Sequence, residues 1–132
     1  MADILNDLNE AQRKAVECTD GPVMVIAGAG SGKTRVLTYR VAHLLNLGAD
    51  AFSILALTFT NKAAREMKER IIELVGGSDS RNVWMGTFHS VFARVLRVEG
   101  HRLGYPPNST IYDTDDTKRV IRNLIKDNNL DD

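Results

Sequence analysis

The sequence is poor in several features that would narrow its function at once. Its 132 residues include a single cysteine, Cys18, which excludes an internal disulfide and is typical of a reducing environment. No apolar run approaches the roughly 18 residues of a membrane span, and the first residues lack the basic start of a secretory signal. We therefore expect a cytoplasmic protein with no membrane partner.

An excess of charge of one sign is also lacking. The 17 Lys and Arg residues balance 17 Asp and Glu residues, so the net charge predicts neither an acidic nor a basic partner. Any contact with nucleic acid must come from the local placement of basic side chains. The length and the 43% share of hydrophobic residues fit one globular domain with its own core.

Short apolar runs rich in Val, Ile and Leu alternate with segments that carry apolar residues at helical spacing. The strand-like runs cover residues 22–27, 53–59 and 83–88, and the helical segments cover residues 9–16, 32–47, 61–75 and 90–103. This order predicts an α/β fold with a parallel open sheet and flanking helices. Residues 104–112, with two prolines, interrupt the alternation. A last helix is predicted over residues 116–127, with its apolar residues inward: Val120, Ile121, Leu124 and Ile125.

The stretch AGAGSGKT follows the first apolar run and ends as a phosphate-binding loop does, G-x-x-x-x-G-K-[ST]. Small residues let backbone N–H groups surround a phosphate, and the following helix N-terminus adds its own N–H groups. Ala27 replaces the first glycine, at a position that needs a small residue more than a positive φ. Lys33 can reach the β- and γ-phosphates, and the Thr34 hydroxyl can ligate Mg²⁺. The predicted nucleotide-binding loop is Ala27, Gly28, Ala29, Gly30, Ser31, Gly32, Lys33 and Thr34, the last two carrying the chemistry.

Four segments occur together in one order: LNEAQRKAV, AGAGSGKT, LALTFTNKAAREMKER and GTFHSVFARVLR. With this order and spacing, the chain from Leu5 to its end resembles the N-terminal part of superfamily 1 DNA helicases of the UvrD/Rep/PcrA type. The resemblance implies a RecA-like phosphate-loop fold and an ATP- and Mg²⁺-dependent motor. Such a motor moves 3′ to 5′ on single-stranded DNA and unwinds duplex junctions, and the resemblance implies a role in DNA repair.

The resemblance also implies residue roles beside the nucleotide. Gln12 matches the glutamine that reads adenine, since an amide can both donate to and accept from the base edge. Arg35 matches the arginine that the family keeps beside the nucleotide. Taken alone, Gln12 is an ordinary solvated side chain and Arg35 an exposed helix charge.

For DNA, the resemblance assigns the ends of the second and third strand-like runs to a single strand. Phe59 would stack on a base, and the polar groups would bond phosphates without reading sequence. The alternative is that Phe59 ends a strand in the core and that Asn61 caps a helix, a role that can coexist with DNA contact. The implied DNA-binding residues are Phe59, Thr60, Asn61, Lys62, Thr87, His89 and Ser90.

No Asp-Glu pair follows an apolar strand, although the family uses one to hold Mg²⁺ and to orient water. By this resemblance, residues 1–110 are the N-terminal part of the first RecA-like domain and residues 111–132 begin an inserted accessory domain. We expect a helicase cut off about one fifth of the way through, binding nucleotide weakly and hydrolysing it poorly because water-positioning groups are missing. The alternatives are a stand-alone phosphate-loop nucleotide-binding or regulatory module and, less favoured, a small phosphotransferase.

Overall fold

The structure, a computed structural model, describes residues 4–28, 30–106, 108–110, 112 and 114–130, and only the main chain of Asp79. It divides into two compact units, Met1–Val91 and Phe92–Asp132. The predicted domain division after residue 110 stays a prediction. The α-helices are α1 (Glu10–Glu17), α2 (Lys33–Asn46), α3 (Asn61–Val75), α4 (Gly77–Ser80), α5 (Phe88–Glu99) and α6 (Thr114–Asp127), and 3₁₀ turns cover Ile4–Asp7, Ala51–Ser53 and Gly100–Leu103.

The sheet of the first unit has two parallel strands, β1 (Leu55–Thr58) and β2 (Trp84–Thr87), with α3 in the connection between them. Parallel strands need such a crossover, because the chain must return to the end of the sheet where the first strand began before it can run in the same direction again. The register pairs Leu55 with Trp84 and Thr58 with Thr87, so both strands end level with each other. The mixed α/β character, the parallel pairing and the strands near residues 53–59 and 83–88 agree with the sequence-based prediction.

The prediction of a buried strand over residues 22–27 is wrong for this structure. The segment has no regular secondary structure and belongs to no ladder among the described residues. Its four large apolar side chains are 40–91% exposed. A strand needs main-chain partners as well as β-branched residues, and within the part of the chain that the structure describes β1 and β2 pair only with each other. The exposed side chains are those of Val23, Met24, Val25 and Ile26.

The core of the first unit lies where α2 and α3 cover the sheet. Val41 of α2, Ala56 of β1 and Met67 and Ile71 of α3 pack together with Val83, all nearly excluded from solvent. These residues lie at the spacings that the sequence pattern predicted for strand and helix faces. The cluster fixes β1 and β2 against α3, and therefore fixes where their ends lie.

A second small cluster joins the first helix to α2. It contains Leu5, Val16 and Val36, with Tyr39 packed against it. Arg40 strengthens the junction, because its Nη1 donates to the carbonyl oxygens of Ala15 and Cys18 near the end of α1. The cluster therefore holds the N-terminal segment beside the start of α2.

In the second unit, α6 forms where it was predicted but buries none of its described residues. The inward placement predicted for Val120, Ile121, Leu124 and Ile125 is wrong: the first three are 38–55% exposed and Ile125 is half-buried. An amphipathic pattern produces an apolar stripe, but burial also needs an element that packs on it. Among the described residues, no helix combines the length and the apolar character of a membrane span.

Candidate functional site: a phosphate loop and two strand ends

The loop before α2 is a tight turn of small residues. The Ser31 amide and hydroxyl both donate to the Gly28 carbonyl, at 3.3 and 2.6 Å. Gly30 and Gly32 have φ values of +76° and +86°, a region that side-chain-bearing residues rarely adopt. The glycines are therefore required by the path of the backbone. Of the predicted loop residues, Ala29 lies outside the described part of the chain.

The Lys33 side chain folds back over this loop. Its Nζ donates to the carbonyl oxygens of Ala27 and Gly28, at 2.8 and 2.9 Å. Lys33 is the first residue of α2, so its ammonium is placed at the mouth of the loop rather than along the helix. A phosphate in the loop would meet a positive charge that is already in position.

The first turn of α2 is suited to an anion. Gly32 is its N-cap in the left-handed conformation, and no side chain caps the turn. The first N–H groups of a helix have no partner within the helix, and they carry the positive end of its dipole. Thr34 lies in this turn with an exposed side chain. Its hydroxyl is a hard oxygen donor, which suits Mg²⁺ bound together with phosphate oxygens.

Gln12 joins α1 to the loop. Its Oε1 accepts a hydrogen bond from the backbone amide of Asn9 at 3.1 Å, and its own backbone amide donates to Asn9 Oδ1 at 2.9 Å. The two bonds form a capping box on α1. Its Nε2 donates to the Ser31 carbonyl at 3.3 Å. A Cβ on Gly32 would lie 2.7 Å from this Nε2 and 3.8 Å from the Cβ of Arg35. Gln12 and Arg35 therefore flank Gly32, and the predicted nucleotide residues gather around one point.

The ends of β1 and β2 form a second group. Because Thr58 pairs with Thr87, the residues that follow them leave the sheet side by side, with strands spaced about 4.8 Å apart. Phe59 is 92% exposed and Phe88 is 50% exposed. The interpretation of Phe59 as a core residue is therefore wrong, and the exposed ring that the resemblance implied is present.

The first of these ends is shaped by a helix cap. Thr60, not Asn61, is the N-cap of α3: its side chain accepts from the Ala63 amide at 3.2 Å. The interpretation of Asn61 as the cap is corrected accordingly, because Thr60 keeps the extended backbone that a cap requires. Asn61 and Lys62 occupy the first turn of α3 with exposed side chains, so their polar groups are presented at the strand end.

The second end is held by a pair of hydroxyl groups. Thr87 Oγ1 donates to Ser90 Oγ at 3.0 Å, and each hydroxyl also accepts from the other residue's amide, at 3.1 and 3.2 Å. The Thr87 side chain is buried. A Cβ on Gly86 would lie 2.8 Å from Ser90 Oγ and 2.9 Å from Val91 Cγ2. The turn is therefore tightly packed, and it leaves His89 exposed beside Ser90.

Two features of the site were not found by sequence reasoning. Phe88 is a second exposed ring after a strand end, and the signal was available, since it is the last residue of a strand-like run as Phe59 is. The Tyr39 ring contacts the Arg35 guanidinium. The one sequence signal for this contact was their spacing of four residues on a helix, which places two side chains next to each other. Within the described residues, no cluster of three or more His, Cys, Asp or Glu side chains could hold a metal ion.

Comparison with known proteins identifies the family. The family model described as "UvrD/REP helicase N-terminal domain" matches residues 8–132. The chain is 50% identical over 129 residues to ATP-dependent DNA helicase PcrA of Staphylococcus aureus, covering 97% of this chain and 18% of that relative. It is 48% identical over 129 residues to the PcrA helicase of Leuconostoc citreum, covering 97% and 17%. The chain thus spans less than one fifth of the length of these curated relatives, and it belongs to the UvrD/REP helicase N-terminal domain family.

Proposed function

We propose that this chain is the ATP-binding part of an ATP-dependent DNA helicase that moves 3′ to 5′ on single-stranded DNA and unwinds duplex DNA. The observation that carries the proposal is the pairing of Thr58 with Thr87 in the same compact unit as the phosphate loop. It aligns the two predicted DNA segments and leaves Phe59 open to solvent. The names of the relatives support the same activity. A cytoplasmic location and a role in DNA repair belong to the proposal.

The nucleotide would bind through the main chain of residues 27–32 and the first turn of α2. Lys33 would exchange its bonds to Ala27 and Gly28 in part for phosphate oxygens, which keeps its charge where the triphosphate is most negative. Thr34 would hold Mg²⁺, which when bound neutralises charge on the β- and γ-phosphates. Gln12 and Arg35 would face the base, on either side of Gly32. These contacts, together with the parallel pairing of β1 and β2, support a phosphate-loop NTPase fold.

Single-stranded DNA would lie across the strand ends. Phe59 offers a ring on which one base can stack without sequence preference, and Lys62 offers a charge to a phosphate. Thr60, Asn61, His89 and Ser90 add polar groups at the same edge. The hydroxyls of Thr87 and Ser90 are bonded to each other, so these two residues contribute mainly by shaping the turn that presents His89.

Hydrolysis would depend on residues outside this chain. The charge that develops on the γ-phosphate needs several fixed groups and a positioned water. Asp115 and Asp116 lie in the first turn of α6 in the second unit, so neither follows a strand of the sheet. Asp113 lies outside the described residues. We expect the 132 residues alone to bind nucleotide weakly and to hydrolyse it inefficiently.

The proposal is tested on the complete gene product by measuring ATP hydrolysis and strand separation with and without single-stranded DNA. A helicase requires DNA-stimulated hydrolysis and unwinding of a duplex that carries a 3′ single-stranded tail. Nucleotide binding without either activity would indicate a stand-alone binding or regulatory module. Phosphate transfer to a small acceptor would indicate a phosphotransferase. Either result would overturn the proposal.

A further inference from the structure

Tyr39 is held in place from two sides on α2. Its ring packs against the cluster of Leu5, Val16 and Val36, and its hydroxyl donates to Asp7 Oδ2 at 3.2 Å. Asp7 belongs to the 3₁₀ turn before α1, so the bond spans 32 positions of sequence. A ring fixed by packing and by a hydrogen bond presents a face of constant orientation.

The Arg35 guanidinium lies over that face. Its Cζ is 5.3 Å from the centre of the Tyr39 ring, within the range of a cation–π contact. Residues 35 and 39 are one helical turn apart, so they face the same side of α2. An exposed arginine otherwise samples many rotamers, and stacking restricts it to few.

The Arg35 side chain leaves α2 beside the phosphate loop. The Arg35 Cβ is 3.8 Å from the point where a Gly32 Cβ would lie, and Gln12 Nε2 is 2.7 Å from the same point. A guanidinium is planar and has two faces, and a nucleobase stacks on such a plane. With one face against Tyr39, the guanidinium keeps a defined plane for a base.

We propose that Tyr39 is a positioning residue for nucleotide recognition: with Asp7 it fixes the plane of Arg35, the side chain that the proposed nucleotide site sets against the base. This inference rests on the proposed nucleotide site. It concerns only ligands that carry a base, because Tyr39 acts through Arg35 and not through the phosphate loop. It therefore predicts a selective effect that a general loss of packing does not produce.

The test compares ATP with inorganic tripolyphosphate, both with Mg²⁺, as competitors of a fluorescent nucleotide on the complete gene product. Replacing the ring in Tyr39→Leu is expected to weaken ATP binding about three- to fivefold, the size of one exposed cation–π contact, and to leave tripolyphosphate unchanged. Tyr39→Phe keeps the ring and is expected to restore most of the ATP affinity. Equal weakening of both ligands, or no weakening of either, overturns the proposal.

Arg35→Lys provides the matched variant, because it keeps the charge and removes the planar group. We expect it to weaken ATP binding at least as much as Tyr39→Leu does, and the double variant to weaken it no further than Arg35→Lys alone, since Tyr39 acts only through Arg35. Additive losses contradict the proposal. If Tyr39→Leu lowers the thermal midpoint, Tyr39→Met repeats the comparison. Lys33→Ala separates the two hypotheses: if it weakens neither ligand, the phosphate loop itself is not the binding site.

Discussion

The two candidate surfaces of the first unit are built in different ways. The phosphate loop is formed by main chain, with two glycines at positive φ and one lysine bonded to loop carbonyls. The strand ends present side chains, among them an almost fully exposed ring and the first turn of α3. A main-chain site binds any ligand with the right phosphates, whereas a side-chain site can be weakened one residue at a time. Variants in the two regions should therefore have separable effects.

The largest effect is expected for Lys33→Ala. It removes two charge-assisted hydrogen bonds at the loop, and the comparable bonds to a triphosphate are together expected to change nucleotide affinity by about 100-fold or more. The measurement is a fluorescent-nucleotide titration of the complete gene product. Lys68→Ala, on an exposed face of α3, is the control and should bind as the unchanged protein does. Nucleotide affinity that survives Lys33→Ala would contradict the main-chain site.

Phe59→Ala tests the side-chain surface. Loss of one base stack is expected to weaken binding of single-stranded DNA by about 10- to 100-fold, with nucleotide affinity unchanged. The free energy of unfolding should also be unchanged, because the ring is 92% exposed. Phe52 is a matched control: it is also exposed but lies in the turn before β1, at the opposite end of the strand. If Phe52→Ala weakens DNA binding as much, the strand ends are not the DNA surface.

Gly86→Ala tests whether the turn after β2 has to be tight. The new Cβ would meet Ser90 Oγ and Val91 Cγ2 below 3.0 Å, and overpacking of this kind costs about 1–3 kcal/mol in the free energy of unfolding. Denaturant unfolding of the complete gene product measures the change. Gly77→Ala, in α4 with nothing within 4 Å of the added Cβ, should leave stability nearly unchanged. Equal stabilities of the two variants would show that the turn relaxes freely.

Lys62→Ala is expected to have the smallest effect. Loss of one phosphate contact should lower the slope of log affinity against log salt by about 0.7 for single-stranded DNA of any sequence. Nucleotide affinity should not change, which separates Lys62 from Lys33. A salt dependence identical to that of the unchanged protein would mean that Lys62 does not face the DNA backbone.

The chain pattern predicted local structure well and long-range pairing less well. The bounds predicted for α3, residues 61–75, are those found, because the apolar face of a helix and the glycine after it are local signals. Residues 22–27 and 53–59 have similar composition, yet only the second contains a paired strand. Composition indicates an extended backbone, whereas a ladder also depends on residues far along the chain.

For the candidate site, the sequence indicated which residues take part but not the contacts between their side chains. The loop residues follow from a motif and Gln12 from the resemblance, and the structure brings Gln12 Nε2 to the Ser31 carbonyl and beside Gly32. Composition and spacing alone favoured a buried Phe59, since an aromatic residue at the end of a strand is compatible with either face. The hydrogen bonds between Thr87 and Ser90 and the stacking of Arg35 on Tyr39 depend on rotamers, which no sequence pattern specifies.

The most direct measurement is the rate of ATP hydrolysis by the complete gene product as single-stranded DNA is added. The account predicts a rate that rises with DNA and is absent in Lys33→Ala. For Phe59→Ala, it predicts that more DNA is needed for half the effect but that the rate at saturation is the same. A rate indifferent to DNA, or one that survives Lys33→Ala, would contradict the claim that the loop binds ATP and the strand ends bind DNA.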